Sequence, residues 1–188
     1  RAYAGPDTLF ISIAAGKTIA YFEEQLGDAA VVVRAMPNTP AAIGQGITVA
    51  CPNANVSDAQ RALALDLLSA VGEAAAVDDE GLIDAVTGLS GGGPAYVFLM
   101  IECMTEAGIA AGLPAQLAAR LALVTVAGAG QLAITSDEEP AQLRKNVTSP
   151  NGTTLEALNV LMADDGLQPL MTKAIAAATA RSKELAGG

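Results

Sequence analysis

The sequence predicts an open α/β sheet followed by an all-helical region. Three observations carry this. Short apolar, β-branched runs alternate with helix-spaced segments as far as Val77. From Leu82 onward every segment repeats its apolar residues at helical spacing only. The 188 residues, 52% of them hydrophobic, are enough for one large domain or two small ones with a sizeable buried surface. The change of character places the boundary near Asp79, dividing the chain into residues 1–79 and residues 80–188.

The elements follow in order. Residues 9–14 (LFISIA) are short, apolar and β-branched, and end at Ala15-Gly16, as a buried strand does. Ile19, Phe22 and Leu26 recur at helical spacing, with Gly27 as the stop. Val31, Val32 and Val33 form a second strand leading into the turn Met36-Pro37-Asn38-Thr39-Pro40, and residues 47–51 a third. Ser57 and Gln60 make a capping box for a helix through Val71, closed by Gly72, and residues 74–77 are a last short strand. This alternation is the back half of an open α/β sheet.

In the helical part, a helix carrying Ile83, Val86 and Leu89 is expected to end at Gly91-Gly92-Gly93, with Pro94 at the first position of the next. Pro114 opens a long apolar helix, Pro140 a shorter one, Thr153 another, and a last helix spans roughly residues 168–185. Residues 117–135 are apolar enough to suggest a membrane span. Their Arg120, Gln131 and many alanines and glycines suit a buried bundle helix better.

Composition excludes several functions. The net charge of −10, with only 10 Lys and Arg, argues against nucleic-acid or anionic-membrane binding. There is no histidine, so a histidine triad, general acid or metal ligand is out. Proton chemistry must use hydroxyls, carboxylates, amines, water or the substrate. Two separated cysteines, Cys51 and Cys103, give neither a disulfide framework nor a zinc cluster; with no leader in RAYAGPDTLF, the expectation is a reducing, cytoplasmic location.

The stretch with most chemical content is LRKNVTSPNGTTLEAL, residues 143–158. Thr153 and Glu156 have the spacing of a capping box, and the hydroxyls of Thr148, Ser149, Thr153 and Thr154 are expected to converge on that helix start. Orphan N–H groups and the helix dipole make such a terminus a ready anion site. Spacing alone fits a well-capped helix after a Pro-Asn-Gly turn equally well.

Taken together, RAMPNTPAAIGQG, DAVTGLSGGGPAYVF and KNVTSPNGTTLEAL resemble pyrroline-5-carboxylate reductase, and the resemblance runs in order from about Ile11 to Leu185. Asn151 stands where the family more usually has glycine in SPGGTT, and Gly92 where it often has serine in SGSGP. The resemblance implies the C-terminal half of a Rossmann-like sheet followed by a helical dimerisation and substrate-binding domain. It implies reduction of 1-pyrroline-5-carboxylate to L-proline with NADPH or NADH. It also implies a cytoplasmic homodimer, or a larger ring of dimers, without nucleic-acid or membrane partners.

Residue by residue, the resemblance assigns the substrate carboxylate to Ser149, Gly152, Thr153 and Thr154. Thr87 falls at the imine nitrogen, orienting and stabilising rather than delivering a full proton; a helical threonine bonded back to a carbonyl is the plainer reading. Glu80 is the acidic residue of the substrate pocket, able to favour an iminium by charge, or else one member of an exposed Asp78-Asp79-Glu80 run. Ile13, Ala14 and Ala15 end the first strand, where dinucleotides cross an open sheet and small side chains would let the backbone approach a nicotinamide; a plain buried strand end fits them equally well. Asn38 is a cofactor contact or, more simply, a turn-former, and the resemblance places Asn146 at the nicotinamide half from the other subunit.

No Gly-rich phosphate-binding turn precedes or follows the first strand, and the run at 91–93 follows a helix. The chain is therefore expected to lack the N-terminal part of the dinucleotide-binding domain. A β-hydroxyacid-type or imine dehydrogenase would usually carry a lysine early in its helical domain, and none lies between Lys17 and Lys145. The remaining alternative is a helical oligomerisation module, inactive without the missing segment.

Overall fold

The computed structural model describes residues 4–187. They form two compact units, one holding the chain up to Pro94 together with the residues from Ala174 onward, the other Ala95–Lys173. The expected α/β sheet followed by helices is present.

The first unit is built on a four-stranded sheet: β1 (Leu9–Ser12), β2 (Val31–Met36), β3 (Gly46–Pro52) and β4 (Gly72–Ala76), side by side in that order. β1 and β2 are parallel and are joined through α1 (Ile19–Leu26); β3 and β4 are parallel and are joined through α2 (Asp58–Ser69). The middle pair, β2 and β3, is antiparallel. Only nine residues separate these two strands (37–45), too few for a helical crossover, so the chain turns back on itself.

Local chemistry accounts for the elements. Val31, Val32 and Val33 are fully buried, as β-branched residues of an inner strand should be. Thr18 caps α1 by accepting from the Tyr21 amide at 3.2 Å, and the helix stops at Gly27. The capping box of Ser57 and Gln60 is formed at the start of α2, which ends at Ser69 with Ala70 as its cap, slightly before Gly72. Asn53 ties the strands to α1: its oxygen accepts from Val32 N at 3.1 Å, and its amide donates to Glu23 Oε1 and the Ala30 carbonyl, each at 2.8 Å.

After β4 come α3 (Leu82–Val86) and, without a break, a π-helical turn over Thr87–Gly91 that leads into α4 (Gly93–Ala110). The expected helix stop at the glycine run is therefore corrected. The chain stays helical, widened by one residue, and the Gly92 amide donates to the Thr87 carbonyl at 2.9 Å. Pro94 lies in the first turn of α4, where a missing N–H costs nothing. The end of α8 (Leu167–Ala186) returns to this unit and packs on α3 and the π-turn.

The second unit is helical: most of α4, then α5 (Ala115–Thr135), α6 (Pro140–Asn146), α7 (Thr153–Leu161) and the start of α8. Gly108 of α4 approaches Ala118 of α5 closely. Much of α4 and α5 faces outward with apolar side chains, among them Phe98, Leu99, Leu121, Leu123, Val124 and Ile134. α5 is long and apolar enough to cross a membrane by length and composition, and little of it is buried in the chain.

Candidate functional site

In the first unit, parallel pairing brings the carboxyl ends of β1 and β2 to one sheet edge. Ile13, Ala14 and Ala15 follow β1 there. All three are exposed, Ile13 to 63%, and the Ala14 amide donates to Ser12 Oγ at 3.2 Å. Asn38 follows β2, where its side-chain oxygen accepts from Ile47 N at 3.0 Å and fastens the turn to β3. The π-turn abuts the same strand end, since a Cβ on Gly91 would come within 2.6 Å of Met36 Cε.

Glu80 is not a free member of an acidic run. Its Oε1 accepts from Arg34 Nη1 at 2.7 Å and from the Ile19 amide at 2.8 Å, so one carboxylate pairs a guanidinium only 5% exposed and caps the start of α1. Asp78, by contrast, pairs with Arg61 at the surface. Burial pushes the nearby Cys51 thiol above its ordinary value, and the charges of Glu80 and Asp78 add to the shift while Arg34 opposes it.

The Thr87 hydroxyl donates to the Ile83 carbonyl at 2.8 Å, the back-bonded state of a helical threonine. Its proton is thereby engaged, while its lone pairs still allow it to accept. Among the described residues no group of three or more His, Cys, Asp or Glu side chains could hold a metal.

The second unit holds the other predicted residues at the junction of α6 and α7. Asn146 ends α6 with its amide engaged locally, donating to Glu138 Oε2 at 2.6 Å and accepting from Gln142 Nε2 at 2.8 Å. Thr148 is turned back, its hydroxyl donating to the Arg144 carbonyl at 2.6 Å, so it does not join the hydroxyls expected at the next helix.

A second correction concerns the start of α7. The cap is Gly152, not Thr153; Thr153 is the first helical residue, and no side chain caps the turn. Thr153 and Glu156 therefore form no capping box. The reason lies one residue earlier, where Asn151 takes a left-handed conformation (φ 58°) that brings Gly152 into the extended cap position. Asn is the non-glycine residue best able to do this, which explains how it replaces the more usual glycine. The Leu155 and Glu156 amides donate to the Gly152 carbonyl, leaving the amides of Thr153 and Thr154 facing out of the helix start. Ser149 Oγ sits directly over Gly152, at 2.5 Å from where a Cβ would stand. Beside this start, a cleft of about 330 Å³ runs between α6 and α7, walled by Leu155, Leu158 and Met162 and edged by Arg144 and Lys145.

The structure thus gathers Ile13, Ala14, Ala15, Asn38, Glu80 and Thr87 in the first unit, and Asn146, Ser149, Gly152, Thr153 and Thr154 in the second. Sequence reasoning missed Arg34, Asp84 and Ser182. Arg34 had a signal, as the single charge in the strand VVVRAM. The Asp84–Ser182 contact, 98 positions apart in the chain, had none.

Comparison with known proteins bears on the chain as a whole. The sequence model of the family described as pyrroline-5-carboxylate reductase dimerisation matches residues 80–185. A pyrroline-5-carboxylate reductase of Pseudomonas aeruginosa is 51% identical over 181 residues, covering 96% of this chain and 66% of the relative; one from Synechocystis is 46% identical over 177 residues, covering 94% and 65%. The chain thus spans a little under two thirds of these curated relatives. Among solved structures, a pyrroline-5-carboxylate reductase of Coxiella burnetii superposes with a TM-score of 0.90 at 42% identity, covering 95% of this chain and 67% of that one. The Plasmodium falciparum pyrroline carboxylate reductase with NADP bound gives 0.83 at 34% identity, covering 95% and 71%.

Proposed function

The chain belongs to the pyrroline-5-carboxylate reductase family, and from that premise we propose that the protein reduces 1-pyrroline-5-carboxylate to L-proline with NADPH, or NADH, as hydride donor. The observation that carries the reading is the uncapped start of α7. A capping side chain would accept from the N–H of Thr154 or Leu155 and sit over the helix start, blocking the outward N–H groups of Thr153 and Thr154. Without one, they and the hydroxyls of Ser149, Thr153 and Thr154 can take the substrate carboxylate at the positive end of the helix dipole. Hydrogen bonds to a charged group are worth about 1.5–3 kcal/mol each, so two or three suffice to hold a small anion without a lysine or arginine.

The carboxyl edge of β1 and β2 fits the nicotinamide end of a dinucleotide: the exposed Ile13 and the small Ala14 and Ala15 offer an apolar surface where open α/β sheets bind such ligands. When bound, the cofactor supplies the hydride. Asn38 and Asn146 are placed in the same reading as cofactor contacts. Thr87, its proton engaged with Ile83, accepts a hydrogen bond from a protonated imine nitrogen rather than giving one. Glu80, held by Arg34, contributes charge that favours the iminium.

The same reading assigns residues 1–79 to the remainder of the NAD(P)-binding domain and residues 80–188 to dimerisation and substrate binding. The outward apolar faces of α4 and α5 are covered by a second copy, in a homodimer or a ring of dimers, rather than by lipid or nucleic acid. Support comes from the dimerisation family model over residues 80–185. The free state of Cys51 and Cys103 supports a reducing, cytoplasmic location.

The direct test is NADPH oxidation dependent on pyrroline-5-carboxylate by the full-length protein, together with calorimetric titration of proline. A full-length protein that oxidises no NADPH and binds no proline would leave only a helical association module.

A further inference from the structure

The end of α8 is held to α3 by one buried side-chain bond: Ser182 Oγ donates to Asp84 Oδ1 at 2.6 Å, with both residues less than a tenth exposed. One turn away, Gly88 is seated against α8 so closely that a Cβ would lie 2.6 Å from Thr179 Oγ1 and 3.0 Å from the Ile175 carbonyl. Asp84 and Gly88 flank Thr87, three residues before it and one after. The backbone between them leaves the α-helical ladder at Thr87, whose carbonyl takes the wide bond from Gly92. A π-turn of this kind has an α-helical alternative, and something must hold the wider form. Here α8 contacts the chain on both sides of Thr87, at Asp84 in α3 and at Gly88 within the turn.

We propose that the Asp84–Ser182 bond is a positioning device that acts through the π-turn to fix the Thr87 hydroxyl, with Gly88 allowing α8 to close on that turn. Ser182 is a positioning residue, since it acts on the reaction only through Thr87. The inference rests on the reductase reading, in which Thr87 meets the imine nitrogen. It predicts that losing the Ser182 hydroxyl moves kcat and leaves the KM for pyrroline-5-carboxylate almost unchanged, because the carboxylate is held elsewhere, at the start of α7.

The test is a double-mutant cycle in the full-length protein, following NADPH oxidation with thermal midpoints measured alongside. Ser182→Ala is expected to lower kcat by about tenfold with KM within about threefold, and to add less than about twofold to the loss already caused by Thr87→Val. Asp84→Asn, which keeps an oxygen to accept from Ser182, is expected to stay within about twofold of wild type. Should Ser182→Ala fail to fold, the near-isosteric Ser182→Cys, a weak donor, takes its place with the same expectations. A variant that melts earlier but keeps its kcat would overturn the proposal, leaving a purely structural bond. An equal kcat loss in the Thr87→Val background would also overturn it, since the effect would not pass through Thr87. A wild-type protein with no reductase activity would overturn the functional reading as well, and that outcome is visible before any variant is made.

Discussion

Thr87 and Glu80 show how much a single hydrogen-bond partner changes the meaning of a side chain. A threonine hydroxyl aimed at a substrate could donate or accept; once its proton is given to Ile83, only acceptance remains. Thr87→Val removes that acceptor while keeping the shape, and kcat is expected to fall by roughly 10²-fold at saturating substrate, near the lower end for groups that handle a proton. Unchanged turnover in steady-state assays would take Thr87 out of the mechanism. Glu80 joins Arg34 and the first turn of α1. Glu80→Ala would leave a buried guanidinium unpaired and is expected to cost about 3 kcal/mol. In thermal denaturation this is a fall in midpoint of about 6–12 °C. If the midpoint held and only the KM for substrate rose, the carboxylate would belong to the substrate and not to the fold.

In the proposed function, substrate binding depends on the junction of α6 and α7. Its geometry comes from three consecutive positions: a left-handed Asn151, an extended Gly152 and a helical Thr153. A Cβ on Gly152 would come within 2.5 Å of Ser149 Oγ and 3.1 Å of the Ser149 carbonyl, so the serine side chain would have to move. Gly152→Ala is therefore expected to displace Ser149 from the helix start and to raise the KM for pyrroline-5-carboxylate about tenfold, with the KM for NADPH within about twofold. Kinetics with each substrate varied in turn will tell. A shift in the cofactor KM alone would assign the anion site to a cofactor phosphate.

For the molecule as a whole, the decisive feature is how much apolar surface α4 and α5 leave outside. Leu121, Leu123, Val124 and Phe98 are all about half exposed, too large a surface for a lone soluble helical unit. In the proposed dimer a second copy buries it, and the small residues along α5 would let helices approach closely. Sedimentation equilibrium is expected to give a dimer or a multiple of it down to nanomolar protein, and Leu121→Glu to shift the protein toward monomer or aggregate. A folded monomer persisting in the wild type at nanomolar and micromolar concentration would refute association through these helices.

Strand and helix identities were legible in the residues because local signals carry them: β-branched runs for β2, the Ser57 and Gln60 box for α2, prolines at the starts of α5 and α6. The family was legible for another reason, since three long motifs in fixed order are more specific than any single turn. Three features depended on the folded chain. The π-turn at Thr87 is packed against α8 through Gly88 and against Met36 through Gly91, and a glycine run that reads locally as a helix stop stays helical there. The open start of α7 depends on one backbone angle at Asn151, whereas spacing alone favoured a capping box at Thr153. The bonds Arg34–Glu80 and Asp84–Ser182 join residues 46 and 98 positions apart. Periodicity and capping act within a turn or two of chain, and contacts at that separation are set by packing, which local pattern does not encode.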